Sequence, residues 1–121
     1  FLGRKTSWHI GENKMAAEFQ VKFGNSTFYL EQMGNIKTTV SMLDTFSGSP
    51  SESEFRLRGM ETRDKEDWEF DVRFFFEPNK ILLEISCRPA SIERDLKTLF
   101  QWFRKQSEIS VEDEDGEPCG W

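Results

Sequence analysis

Residues 91–106 read SIERDLKTLFQWFRKQ, and the fold turns on how this stretch is read. With successive residues placed about 100° apart, Ile92, Leu96, Leu99 and Phe103 fall on one line with Phe100 and Trp102 on its flanks. That is the wide apolar stripe of a helix packed on a core. Arg94, Lys97, Gln101, Arg104 and Lys105 stand opposite, so the outward face is basic. Ser91 suits an N-cap, because its hydroxyl can accept from an otherwise orphan backbone N–H, and Pro89 suits an extended approach. Glu93 and Asp95 at the start and Arg104 and Lys105 at the end complement the helix dipole.

The segments before this helix alternate. Met15 to Phe23 sets Ala17, Phe19, Val21 and Phe23 against Glu18, Gln20 and Lys22, the period-2 pattern of a half-buried strand. Gly24–Asn25 and Gly34–Asn35 read as hairpin turns around strands at Thr27 to Met33 and Ile36 to Leu43. A helix competes over the second of these, and Thr38, Thr39 and Val40 argue against it. Ser47 to Ser53 is an exposed loop by composition, and Phe55 to Met60 alternates again. Trp68, Phe70, Val72, Phe74 and Phe76 form the longest apolar line, followed across Pro78–Asn79 by Ile81, Leu83, Ile85 and Cys87. Arg4 to Ile10 is a further strand carrying Trp8.

Six or seven sequential strands followed by one amphipathic helix define an α+β fold: an antiparallel meander covered by a C-terminal α-helix. Outward Arg56, Arg58, Asp71, Arg73 and Glu84 are placed to pair across the solvent face of these strands. The order of elements over residues 4–106 resembles the pleckstrin-homology-like superfold, two nearly orthogonal sheets closed by a C-terminal helix bearing a Trp, here Trp102. The resemblance is one of topology. Members of that family that bind phosphoinositides carry a basic motif from the first strand into the second; this chain has only Lys14 and Lys22 there, interrupted by Glu12 and Glu18. Headgroup binding is therefore not expected. A small sheet capped by a helix, as in bacterial immunity proteins or secretion chaperones, fits the same pattern.

At 121 residues the chain has the length of one domain. The net charge of −6 lies wholly in residues 108–121, where Glu108, Glu112, Asp113, Glu114, Asp115 and Glu117 meet no Lys or Arg. The expected organisation is a single domain over residues 1–107 and an acidic, disordered tail over 108–121. A neutral body with an acidic tail lacks the phosphate-directed charge of a nucleic-acid binder. A chain that begins at Phe1 reads as part of something longer, and without an h-region or an 18-residue apolar run it reads as soluble and intracellular. Cys87 and Cys119 share no metal or redox spacing, and the fold needs no disulfide.

Catalytic patterns are missing. His9 is the sole histidine and lies beside Trp8; no nucleophile elbow, P-loop, dinucleotide glycine pattern or zinc spacing occurs, and neither a cofactor nor a metal is expected. Glu84 and Asp71 have the most apolar neighbours of the carboxylates, and alternation points both outward. The chain therefore reads as a non-enzymatic protein-interaction module whose partner is another protein, a peptide or its own flanking domain. Phe75 and Leu82 stand on otherwise polar strand faces beside Arg73, and with the helix cations Arg94, Lys97, Arg104 and Lys105 they form the candidate partner-binding set. Two alternatives stand beside this reading: an acidic binder of a basic protein, either a toxin-neutralising immunity protein or a histone-chaperone-like module, and a small carboxylate-dependent hydrolase. Ser49 before Pro50, Ser51, Ser53 and Ser110 sit in phosphoacceptor-like contexts.

Overall fold

The computed structural model describes residues 16–62 and 69–121. In chain order the elements are β1 (Ala17–Phe23), α1 (Ser26–Glu31), α2 (Met33–Ser41), β2 (Phe46–Gly48), β3 (Glu54–Leu57), β4 (Val72–Phe76), β5 (Ile81–Ile85), α3 (Ala90–Gln106) and β6 (Ile109–Glu112). The six strands make one sheet in the order β2-β3-β4-β5-β1-β6, and every pairing is antiparallel. The fold is α+β, as the alternation implies.

The strand expectations at 15–23, 55–60, 68–76 and 81–87 overlap β1, β3, β4 and β5, which are shorter, and Met15 and Trp68 lie outside the described residues. Those at 27–33 and 36–43 do not, because both segments are helical. Asn25 is an N-cap instead of a turn residue: its Oδ1 accepts from the Phe28 N–H at 3.0 Å. Gly34–Asn35 lies inside α2, and Gly34 has no positive φ. The threonines fit a helix because their hydroxyls donate back to the preceding turn, Thr38 to Gly34 O at 3.0 Å and Thr39 to Asn35 O at 2.9 Å. Arg4 to Ile10 and Trp8 lie outside the described residues.

Two strands come from segments whose composition implies loop and tail. Phe46–Gly48 pairs with β3 at one edge of the sheet, and Ile109–Glu112 pairs with β1 at the other. The 108–121 segment is thus part of the fold, not a disordered tail. Beyond β6 the chain turns back: Glu112 bridges Pro118, the Cys119 N–H donates to Val111 O at 3.0 Å, and the Trp121 ring meets Phe100 edge-on at 5.6 Å. The pleckstrin-homology-like order is not confirmed either. Among the described residues there is one sheet where two are expected, a helical pair separates β1 from β2, and a strand follows the helix expected to close the chain.

One face of the sheet carries the core. Phe19 and Val21 of β1, Leu57 of β3, Val72, Phe74 and Phe76 of β4, and Ile81, Leu83 and Ile85 of β5 join Ile92, Leu96, Leu99, Phe100 and Phe103 of α3 in one cluster. Tyr29, Ile36 and Val40 bring α1 and α2 into the same cluster. Phe23 links the parts, stacked on Tyr29 at 5.0 Å and edge-on to Phe103 at 5.1 Å. Tyr29 is 1% exposed, and its hydroxyl donates to Glu77 O (2.6 Å) and Lys80 O (2.9 Å), tying the β4–β5 turn to α1. Burial, and then the charge of Glu77, pushes the Tyr29 pKa up.

The start of α3 is capped from outside the helix. Pro89 is the N-cap residue and offers no side-chain bond; Ser91 lies just inside the helix, where its N–H donates to Glu61 Oε2 at 2.9 Å and its hydroxyl to Oε1 at 2.5 Å. Ser91 Oγ in turn accepts from the Met60 N–H at 2.9 Å. Just before this loop, Gly59 must be glycine, since a Cβ there would stand 2.6 Å from Pro89 Cγ and 2.9 Å from Asp71 Oδ2. The Ser91 hydroxyl bond, then the Ser91 backbone bond, lowers the Glu61 pKa. A lowered folded pKa adds stability that is fully present above the ordinary carboxylate value and is lost as pH falls through the lowered one. Glu61→Gln is therefore expected to flatten the fall in melting temperature between roughly pH 5 and pH 3, which a calorimetric pH series measures.

Candidate functional site

The sheet face turned away from the helices carries the polar alternates of every strand. Cross-strand register sets Arg56 against Arg73 and Glu18 against Glu84, two like-charged pairs that would repel if left alone. Register also sets Arg73 against Glu84, and the Arg73 Nε and Nη2 both donate to Glu84 Oε1, at 2.9 and 2.5 Å. Glu54 Oε2 accepts from Arg56 Nε at 2.8 Å and lies 3.8 Å from Arg73 Nη1. The Phe70 ring is shared by both guanidinium groups, 4.7 Å from Arg56 and 5.0 Å from Arg73, and Arg73 also stands 5.2 Å from Phe75. The result is a ladder of arginine and phenylalanine crossing from β3 to β5. Carboxylates hold it in place.

Alternation sends Glu84 to this face as expected, but Glu84 is only 2% exposed and Glu18 4%. Both carboxylates are shielded from water, and the Arg73 guanidinium is the partner that offsets this burial for Glu84. Asp71 departs further from the outward placement: it is 2% exposed and its Oδ2 accepts from the Gly59 N–H at 2.7 Å. Phe70 departs in the other direction. Alternation places it on the core line, yet β4 begins at Val72, and the ring before that boundary lies among the arginines of the opposite face.

Phe75 and Leu82 are register partners on β4 and β5, both half-buried, next to Arg73. Phe70, Phe75 and Glu84 each make a further contact, so the ladder is engaged along its length. Three of the seven candidate residues are thus brought together on one surface. The other four stand on the outer side of α3, across the core from it. Two of these cations are used within the chain: Arg94 binds Asp95 at 3.2 Å and Asp44 at 3.4 Å, and Arg104 donates to the Trp121 carbonyl. Lys97 and Lys105 are exposed and form no ion pair among the described residues. Of the four helix cations, Arg94 alone is paired with carboxylates within the chain among the described residues, and all four are exposed.

Where β2 and β3 meet, a shallow cleft of about 410 Å3 opens beside the ladder, lined by Ser47, Gly48, Ser49, Pro50, Arg56, Arg58, Glu69 and Phe70. In the sequence these are separate loop serines and outward arginines. Only the β2–β3 pairing brings them together. Phe-Ser-Gly gives a weak strand signal, although Phe46 opposite Leu57 follows the alternation of β3.

Among the described residues no group of three His, Cys, Asp or Glu side chains is disposed to hold a metal. Cys87 and Cys119 are free thiols, Cys87 exposed instead of packed, and burial raises the Cys119 pKa. His9 and Lys14 lie outside the described residues. No helix among the described residues is long and apolar enough to cross a membrane. The fold and this face define a small α+β domain with a helix-covered sheet and a second, charge-laced sheet surface. Comparison with protein-family models, curated proteins and solved structures finds no match.

Proposed function

We propose that the chain is a non-catalytic protein-interaction module that meets its partner through the sheet face bearing Phe75 and Leu82. The observation that carries the reading is the cross-strand Phe75–Leu82 pair, apolar and half-buried, set beside the arginine–carboxylate pairs of this face. An apolar centre rimmed by polar groups is the anatomy of a protein contact. The Arg73 and Phe70 rungs hold the surface in one conformation before binding, which reduces the entropy cost of association. The partner presents an apolar side chain to this pair and hydrogen-bond acceptors to the arginines around it.

Leu82→Asp tests the reading with the least risk to the fold, because it alters an aliphatic tip outside the helix-side core. With the partner identified by photocrosslinking from position 82 and then purified, Leu82→Asp is expected to weaken binding at least about 30-fold, the scale of a central contact residue. Lys97→Glu on the far side is expected to leave it unchanged. A Leu82→Asp protein with native circular dichroism, native melting and undiminished affinity would remove this surface from consideration.

A further inference from the structure

The cleft at the β2–β3 end of the sheet contains two arginines in different states. Arg56 is pre-oriented: Glu54 takes its Nε and Phe70 takes one face of the guanidinium, leaving both Nη nitrogens without a hydrogen bond among the described residues. Arg58 is exposed, its backbone is fixed by donation to Thr45 O at 2.7 Å, and its guanidinium has no partner among the described residues. A fork with free ends beside an uncompensated cation is suited to an oxyanion. The carboxylate of Glu69 on the rim and Glu54 behind Arg56 oppose a free anion, so affinity for one arriving from solution is reduced.

The same cleft is lined by Ser49. Gly48, at φ 151°, adopts a backbone conformation open to glycine alone, and no atom lies within 4 Å of where its Cβ would be. That places the exposed Ser49–Pro50 step at the cleft mouth. Ser47 lies in β2 and its hydroxyl donates to Arg56 O at 3.2 Å, so it is held in a paired strand that a modifying enzyme cannot take up as an extended substrate. Ser51 and Ser53 are exposed but do not line the cleft. Of the four serines, Ser49 alone joins an accessible loop position to a place beside both arginines.

We propose that Ser49 is a phosphorylation site and that the Arg56–Arg58 cleft receives its phosphate within the same chain. A protein kinase that accepts serine before proline transfers the γ-phosphoryl group of a nucleoside triphosphate. The Ser49 Oγ–P bond forms as the bond from that phosphorus to the bridging oxygen breaks, nucleoside diphosphate leaves, and the hydroxyl proton passes to the base of the kinase. Modification ends the donation from Ser49 Oγ to Ser51 O and adds close to two negative charges, which accept from Arg58 and from the free ends of Arg56. The 49–53 loop is then fastened to β3 at the rim of the sheet face. This fastening is independent of whether that face binds a partner.

The full chain carrying genetically encoded phosphoserine at 49, or at 51 as a control, is to be titrated by 31P NMR. The phosphate at 49 is expected to ionise about half a unit to one unit below the ordinary value near 6, that at 51 to stay ordinary, and Arg58→Ala to return the first to the second. Arg58 is a surface side chain, and its replacement leaves the fold intact. Folded unmodified protein treated with a proline-directed kinase and ATP is expected to gain one phosphate, lost in Ser49→Ala. Identical titration at 49 and 51, indifference to Arg58→Ala, or no phosphate at Ser49 would each overturn the proposal. So would a cleft that binds a free phosphoserine peptide while phosphoserine 49 behaves like phosphoserine 51, which would assign the phosphate to a partner.

Discussion

Phe103→Ala is expected to lower the unfolding free energy by about 4 kcal/mol, near the upper end for a buried aromatic truncated in a core. Phe103 is fully buried and stands where three parts of the chain meet. Its ring lies edge-on to Phe23 of β1 at 5.1 Å, and beside Phe100 at 6.2 Å and Trp102 at 5.7 Å within α3. Phe23 in turn stacks on Tyr29 of α1. Truncation removes the edge-to-face contact and leaves a cavity bordered by rigid elements that cannot close over it, so the cavity cost adds to the lost burial. Trp102→Ala, one residue away and half-buried, is expected to cost less than half as much. Urea unfolding of the three proteins checks the order, with a melting-temperature drop of roughly 10–20 °C for Phe103→Ala. Equal losses at 102 and 103 would mean that α3 turns a different face to the sheet.

That comparison tests the element most legible in the sequence. The α3 stripe repeats over four turns, and all four residues of its central line, Ile92, Leu96, Leu99 and Phe103, are fully buried. Length makes the reading secure. The α1–α2 pair shows what happens without it. Phe28 and Leu30 against Tyr29 and Glu31 alternate over only four residues, too few to separate period 2 from period 3.6. The helical line is present as Tyr29, Met33, Ile36 and Val40, with three of the four buried, but it crosses the Gln32 junction, and two apparent strands divide it between them. Asn before Ser-Thr serves equally as turn and as N-cap, so local chemistry does not decide between them.

The second face is legible where register follows from a tight turn. Two residues at Pro78–Asn79 fix the β4–β5 hairpin, and from it follow the Arg73–Glu84 pair and the Phe75–Leu82 pair. Phe70 escapes the pattern because the alternation of the sequence extends back through residues 70 and 71, ahead of the first residue of the strand. The acidic tail conceals β6 by a similar route: Ile109 and Val111 alternate with Ser110 and Glu112, a true strand pattern, but composition dominates the reading of so short a segment. Pairing with β1 supplies the stability that four residues lack alone.

Asp95→Ala is expected to cost about 3 kcal/mol, because removal of a buried acceptor strands two donors from one residue. Asp95 is 5% exposed and Thr45 2%. Asp95 Oδ2 accepts from the Thr45 N–H at 2.9 Å and from its hydroxyl at 2.7 Å, bonds to a charged acceptor that are stronger than neutral ones. Thr45→Val removes the hydroxyl while keeping the backbone bond, so the double mutant is expected to be about 1 kcal/mol more stable than the two single effects predict when added. The consequence reaches the cleft, since the Thr45 carbonyl accepts from the Arg58 N–H. Thr45 is therefore the joint between α3 and Arg58, the residue just past the end of β3. Hydrogen exchange at the Arg58 amide is expected to speed up in Asp95→Ala by more than at Phe74 in the sheet centre; equal acceleration at both would show global loss of stability with no local coupling between helix and cleft.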